Sequence, residues 1–276
     1  GRPELPPAWV FAPWLDALYG SENVRRVAQK LRDRGIPSSV IWTEDWRGGN
    51  AGPGGYTLEE DWRVDRDVYP DFERLADDLH GLGFKFLTYN NTFVVTECDV
   101  WDEVLSSGYG IHDAAGATYT FLGVTFTNTT LLDMSNAAAR EWARGVWAEG
   151  LALGADGWMA DYAEWLPTDI VLASGEDPLR AHNLYPGEFQ RLTREVLAAA
   201  GRETGWFVRS GYLGSQPLVQ VFWAGDQQTD FSLWDGMPSV IPMGIGLGVV
   251  GFPYFAHAIG GYQSALALYR RQFETS

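Results

Sequence analysis

The chain has 276 residues and is 46% hydrophobic, so it can bury a sizeable core, and its length suits one α/β barrel of roughly 250 residues. Lysine and arginine number 20 against 36 aspartates and glutamates, and the resulting net charge of −16 disfavours nucleic acid and anionic membrane as partners. Cys98 is the single cysteine, which excludes an internal disulfide framework and a multi-cysteine metal site, and no apolar run reaches the ~18 residues of a membrane span.

A strand-then-helix rhythm runs along the whole chain. The first strand is expected at Trp9 to Trp14, followed by a helix capped by Ser21, carrying Val24, Val27, Ala28 and Leu31, and stopped by Gly35. Ser39 to Trp42 reads as a second strand that runs into Thr43-Glu44-Asp45-Trp46, and a Gly-rich excursion from Arg47 to Tyr56 is too polar for core. A helix with Phe72, Leu75, Ala76, Leu79 and Leu82 ends at Gly83, and Phe84 to Tyr89 is the third strand. Residues 92 to 130 contain no strong helix pattern and read as a long insertion. Ser135 is expected to cap a helix through Leu153, and Gly157 to Ala160 forms the fourth strand. A helix from Gly187 to Ala200 precedes strands at Trp206 to Val208 and Val221 to Trp223. A small-residue helix from Met237 to Val249, a strand at Phe252 to Phe255 and a helix over Gln263 to Phe273 complete the pattern.

Seven strands alternating with helices imply a parallel sheet, either doubly wound or closed into a barrel. No Gly-rich phosphate loop follows the first strand, whereas acids sit just beyond several strand ends, as barrel enzymes arrange them. Asp45 follows the second strand, Asp161 the fourth with Glu164 three residues on, and Asp226 follows Trp223-Ala224-Gly225. Aromatic residues and glycine stand next to these acids: Trp46 follows Asp45, Tyr162 follows Asp161 and Gly225 precedes Asp226. One such acid caps a helix or pairs with an arginine as often as it does chemistry; three at matching sheet ends favour a site. Two carboxylates at one mouth suit glycoside hydrolysis, one as nucleophile and the other as proton donor to the leaving oxygen. The flanking Trp42, Trp158 and Trp223 could stack on the apolar face of a sugar ring. His80, His112, His182 and His257 are scattered without metal-ligand spacing, although His182 and His257 could bind sugar hydroxyls. Arg209 ends the fifth-strand motif Val208-Arg209-Ser210-Gly211, where it could hold a carboxylate or a sugar hydroxyl.

The stretch from Gly157 through Asp161-Tyr162-Ala163-Glu164-Trp165 to Asp169 resembles the nucleophile segment of glycoside hydrolase family 31, in its sulfoquinovosidase and bacterial α-glucosidase branch. Phe222-Trp223-Ala224-Gly225-Asp226-Gln227 resembles that family's acid/base segment. Trp42-Thr43-Glu44-Asp45-Trp46, Arg209-Ser210-Gly211 with Gly214-Ser215-Gln216, and Ile259-Gly260-Gly261-Tyr262 match in the same order, so the resemblance spans about residues 8 to 264. It implies a (β/α)8 TIM barrel and a retaining, exo-acting α-glycosidase that uses no cofactor and no metal and takes a carbohydrate α-glycoside as substrate. By this resemblance Asp161 is the nucleophile and Asp226 the acid/base. Asp45 holds sugar hydroxyls, Arg209 lines the pocket of the cleaved sugar, and Tyr262 lies near its C5 substituent. Trp42, Trp158, Glu164, Trp223, Gln227 and His257 complete the expected substrate-binding set.

Four departures shape the expectation. The family's flanking β-sandwich and further domains are absent from these 276 residues, so residues 1–276 are expected to form a single catalytic barrel. Its eighth strand, with an Arg-Thr-His segment, belongs after Tyr262, and a barrel truncated before that strand, with missing parts of the parent chain as its partners, is expected. Ala258 stands where the family has Asp, which favours a non-catalytic or vestigial carbohydrate-binding barrel as the competing reading. The Arg-x-x-Trp pair that binds a sulfonate in sulfoquinovosidases falls near Thr57 and Glu60, which ranks a neutral sugar above sulfoquinovose unless Arg47, Arg63 or Arg66 substitutes.

Overall fold

The structure, a computed structural model, describes residues 2–52, 55–58, 62–123 and 127–259. The first half comprises β1 (Trp14–Asp16), α1 (Gly20–Asp33), β2 (Val40–Trp42), the hairpin β3 (Gly49–Gly52) and β4 (Gly55–Leu58), α2 (Phe72–Gly81), β5 (Lys85–Asn90), β6 (Phe93–Val95), α3 (Trp101–Ser107), β7 (Phe121–Leu122) and β8 (Asn128–Leu131). The second half comprises α4 (Ala137–Ala152), β9 (Gly157–Ala160), α5 (Pro178–Ala199), β10 (Gly205–Val208), β11 (Val221–Trp223), α6 (Met237–Val249) and β12 (Phe255–Ala256).

Seven strands form one parallel sheet in the order β1-β2-β5-β9-β10-β11-β12 among the described residues. Trp14 of β1 meets Phe207 of β10 edge to face at 5.4 Å. In a flat sheet these strands would stand about 19 Å apart, four spacings of about 4.8 Å. The contact therefore requires the sheet to curl, and the architecture is the TIM barrel expected from the sequence. The helix expected over residues 263–273 lies outside the described residues, and no eighth strand joins this sheet among the described ones.

The register divides each strand into an inner and an outer row. Trp42 pairs with Leu87, Leu87 with Gly157, Met159 with Phe207 and Phe207 with Val221, which puts all of them on one face. The rings of Trp14, Trp42 and Trp223 all meet Phe207 edge to face, so this is the barrel interior. The alternate residues Trp158, Ala160, Trp206 and Val208 pack outwards with Trp147 of α4 and Phe189 of α5. At the base, a Cβ on Gly205 would lie 2.1 Å from the ring of Trp9, so the bare glycine makes room for the indole that plugs the barrel floor. The carboxylate of Asp156 is buried there. It accepts from Phe86 N–H at 3.0 Å and pairs with His80, Lys85 and Arg202 at 2.6, 3.2 and 2.8 Å.

Several expected boundaries shift, each for a local reason. Ala8–Phe11 is a short 3₁₀ turn, and the strand begins at Trp14, because Trp9 is used as the floor plug. The Gly-rich excursion is an antiparallel hairpin. The insertion folds as the antiparallel sheet β6-β8-β7 with the helix α3, elements too short to leave a periodic signal. Asn136, not Ser135, caps α4, since the Ser135 hydroxyl and N–H both bond to Asp133. Ser21 lies inside α1, and α5 starts at Pro178 behind the Asp177 cap and continues through Pro186.

Candidate active site

Strand alternation carries the key side chains into the mouth. Asp161 lies two residues beyond Met159, and its N–H bonds to Asn90 O at 2.9 Å, so it continues the inner row of β9. Arg209 lies two residues beyond Phe207 and continues the inner row of β10. Asp226 follows the tight turn at Gly225, whose φ of +92° suits glycine.

These three strand ends converge on one guanidinium. Arg209 Nε lies 3.4 Å from Asp161 Oδ1 and 2.9 Å from Glu164 Oε1, and Nη1 lies 3.9 Å from Asp226 Oδ2. Nη2 donates to Glu164 as well, and the guanidinium carbon lies 3.5 Å over the ring of Tyr162. The site is therefore a hub of one half-buried cation and three carboxyls, with Asp161 the most enclosed at 5% exposure. Burial opposes the charge on Arg209, but Asp161 and Glu164 outweigh it and hold the guanidinium protonated.

Asp161 Oδ2 accepts from Tyr89 O–H at 2.6 Å. Burial pushes the Asp161 carboxyl up to about 6, with Arg209 and the Tyr89 hydroxyl pulling the other way. Asp226 is also raised, by burial first and then by Asp235 and Glu164, against Arg209. Between Asp161 and Glu164 the backbone makes an unusual turn, with Tyr162 at φ +58° and Ala163 at φ +79°. Two consecutive left-handed non-glycine residues are uncommon and cluster at functional sites. Ser210 Oγ donates to Tyr162 O, and Leu166 O meets His182 Nδ1 at 2.6 Å, so the turn is held from both β10 and α5. Beside it, a cavity of about 310 Å³ is lined by Glu164, His182, Asn183, Arg209 and Phe222 among others.

The remaining expected residues divide sharply. Trp42 and Trp223 belong to the inner aromatic floor beneath the acids. Trp158 does not reach the mouth: its position in β9 turns it outwards onto Trp147, with ring centroids 6.5 Å apart. Asp45 is fully buried and occupied by its own chain. Its Oδ1 accepts from Thr43 Oγ at 2.7 Å and from the Tyr69 hydroxyl, and its Oδ2 from Tyr19 N–H at 2.7 Å. No surface is left on it for a sugar hydroxyl. Gln227 is buried, with its amide donating to Ala224 O at 2.6 Å, and supports the Asp226 turn from within. His257 follows β12 half-buried, with Nδ1 3.1 Å from Ala258 O. Tyr262 and Glu60 lie outside the described residues.

Two residues absent from the expected set stand beside the hub acids. Tyr89 ends β5 on the inner row. Glu44 follows inward-facing Trp42 by two, so alternation marks it rather than Asp45 as the acid at this strand end. Burial, with Asp16 and Asp161, raises the Glu44 carboxyl, Arg47 opposes, and Asp226 adds to the rise. Of the three arginines considered for an anionic sugar, Arg63 pairs with Glu103 at 3.1 Å and Arg66 with Glu73 at 2.7 Å. Arg47 alone of these three stands beside the site, 4.4 Å over the ring of Tyr89.

A family model, the TIM-barrel domain of the glycosyl hydrolases family 31, matches residues 3–276. A sulfoquinovosidase of Escherichia coli (strain K12) is 32% identical over 273 residues, covering 98% of this chain and 40% of that protein. An alpha-xylosidase of Emericella nidulans is 26% identical, covering 98% of this chain and 34% of that one. Among solved structures, a GH31 sulfoquinovosidase from E. rectale in complex with the aza-sugar inhibitor IFGSQ superimposes with a TM-score of 0.89 at 33% identity. It covers 96% of this chain and 40% of its own. The chain thus spans about two-fifths of these relatives' length.

Proposed function

The chain belongs to glycosyl hydrolase family 31, and on that premise we propose that it is the catalytic barrel of a retaining, exo-acting α-glycosidase that removes terminal α-linked sugars. The observation that carries the reading is the Arg209 hub, where carboxyls from two strand ends, Asp161 and Asp226, lie within 4 Å of one guanidinium at the barrel mouth. Retention needs two carboxyls roughly 5–5.5 Å apart across the scissile bond, and their shared guanidinium brings these two to one mouth.

In this reading ionised Asp161 attacks the anomeric carbon while the Asp226 carboxyl gives its proton to the departing oxygen. The glycosidic bond breaks, an ester to Asp161 forms, and the leaving group departs as a neutral alcohol. Asp226, now a carboxylate, takes a proton from water, whose oxygen displaces Asp161 and returns the sugar with its original configuration. A raised carboxyl suits the donor role of Asp226, and Tyr89 and Arg209 keep Asp161 ionisable despite its burial. Trp42, Phe207 and Trp223 supply an apolar floor for the sugar ring, and Glu44 supplies a carboxyl for its hydroxyls.

The substrate we favour is a neutral hexoside or pentoside, because among the described residues Glu44, Glu164 and Asp226 stand at the mouth against Arg47 and Arg209. The sulfoquinovosidase relatives and Arg47 favour α-sulfoquinovoside as the second reading.

The test is turnover of activated α-glycosides by the full-length protein. Asp161→Asn is expected to abolish it. Asp226→Ala is expected to recover activity with added azide on a substrate whose leaving group needs no proton, giving the α-glycosyl azide. Unchanged rates in Asp161→Asn, or no azide product from Asp226→Ala, would reject the assignment.

A further inference from the structure

We propose that Trp165 is the platform on which the substrate's leaving group stacks, and that it selects leaving groups carrying a ring with an apolar face, a sugar above all. The inference rests on the α-glycosidase reading and deepens it. In an exo-acting pocket the cleaved sugar lies at the bottom, between Asp161 and Asp226, and only the leaving group extends past the rim. An aromatic ring at the rim therefore meets the leaving group and not the sugar being cleaved.

Trp165 stands at that rim. It follows Glu164 directly, after the left-handed turn at Tyr162 and Ala163 has swung the chain away from the inner row of β9. Its ring is one aromatic contact from the hub: Arg209 lies over Tyr162 at 3.5 Å, and Tyr162 meets Trp165 edge to face at 6.1 Å. A second edge contact, with Phe93 of β6 at 5.7 Å and 86°, fixes the ring from the insertion side. Phe93 is itself fully buried, so the anchor is rigid.

Yet Trp165 is 40% exposed. A lone exposed aromatic needs no explanation. This one is held by two nearly perpendicular rings beside the catalytic carboxyls, with part of its surface open. Two perpendicular ring contacts fix its orientation, so a ligand ring stacking on its open surface loses little further side-chain freedom. A sugar presents C–H bonds on one face and hydroxyls around its edge, and an indole complements the first while Glu164 and Arg209 can meet the second.

The experiment compares the wild-type full-length protein with Trp165→Ala and Trp165→Phe on two substrates. One is the α-glycosyl fluoride that the wild type accepts, whose leaving group is too small to reach the rim. The other is the 4-nitrophenyl α-glycoside of the same sugar. The kcat/KM ratio of aryl glycoside to fluoride is expected to fall about tenfold in Trp165→Ala, mainly through KM, and to be largely restored in Trp165→Phe. With the fluoride as donor and free glucose as acceptor, the share of transfer product is expected to fall in Trp165→Ala, which identifies a sugar as a ring the platform accepts. A drop confined to the aryl glycoside, with transfer intact, would overturn the assignment to a sugar. Equal loss on both substrates, or no change in the ratio, would overturn the platform while leaving the glycosidase reading intact. A wild type without turnover of any α-glycosyl fluoride would instead overturn the glycosidase reading and the platform together.

Discussion

Removing one hydroxyl should move the pH dependence of this site without disturbing its fold. Tyr89 donates to Asp161 at 2.6 Å, and its ring, which Tyr89→Phe retains, lies beneath Arg47. A hydrogen bond to the charged form of a carboxyl lowers its pKa, so its loss raises Asp161 further above its position of about 6. Hydrogen bonds to charged groups contribute about 1.5–3 kcal/mol, and one pH unit corresponds to about 1.4 kcal/mol. The acidic limb of kcat/KM is therefore expected to move up by about one to two pH units. At pH 7 the variant then has about half to nine-tenths of Asp161 protonated, and kcat/KM falls by about twofold to tenfold; on the alkaline plateau the loss disappears. An α-glycosyl fluoride is the right substrate, because its departure needs no proton and the titration of Asp226 does not distort the limb. A loss uniform across pH, or a limb that stays in place, would refute the role given to this contact.

Three further outcomes follow from the same geometry. Asp161→Asn is expected to stabilise the protein at neutral pH. A carboxyl raised from 3.8 to about 6 leaves the native state unaffected below pH 3.8, and costs it about 3 kcal/mol once pH has risen through 6; thermal melting should show a gain of a few degrees at pH 7 that vanishes near pH 4. Asp156→Ala at the barrel base is expected to cost about 2–4 kcal/mol in denaturant unfolding with kcat/KM retained, below the full cost of breaking a buried pair because its three partners His80, Lys85 and Arg202 remain partly in water. Less than about 1 kcal/mol would mean that the cluster contributes no net stability. A comparison of kcat/KM for the 4-nitrophenyl α-glucoside, α-xyloside and α-sulfoquinovoside is expected to rank the sulfonated sugar last, and a clear preference for it would make Arg47 the anion-binding residue.

The parts of the fold legible in the sequence are those with strong local signals. Gly157 to Ala160, Val221 to Trp223 and Met237 to Val249 lie where the sequence places them: the two strands are short apolar runs, and the third is a longer run of small and apolar residues behind Gly236. Trp9 misled the first strand assignment because an indole plugging a barrel floor and an indole in a strand look alike in sequence. The candidate site was read from Asp161, Glu164, Arg209 and Asp226, whose side chains the fold gathers around one guanidinium. It was misread where neighbouring residues point opposite ways. Glu44 and Asp45 are adjacent acids, and only strand alternation from Trp42 separates the one facing the mouth from the one bonded to Tyr19, Thr43 and Tyr69. The same alternation sends Trp158 outwards. Tyr89 gave no signal at all, because a tyrosine ending a buried strand reads as core until its hydroxyl is seen on Asp161.

The placement of Glu164 answers a question that two catalytic carboxyls alone would leave open. A guanidinium beside the nucleophile lowers its pKa, but a fully engaged guanidinium would also cancel the negative charge that a developing oxocarbenium ion needs opposite it. Here Glu164 takes the closer contacts with Arg209, through both Nε and Nη2, while Asp161 stays at 3.4 Å with Oδ1 lacking a hydrogen-bond partner. Glu164 thereby draws the guanidinium away from Asp161, and the Asp161 oxygen that faces Arg209 is left without a hydrogen-bond partner on the proposed nucleophile. Glu164 thus lets Arg209 keep Asp161 ionised in a buried site without neutralising it towards the sugar. The strained turn at Tyr162 and Ala163 is what brings an acid only three residues further along the chain back onto the same arginine.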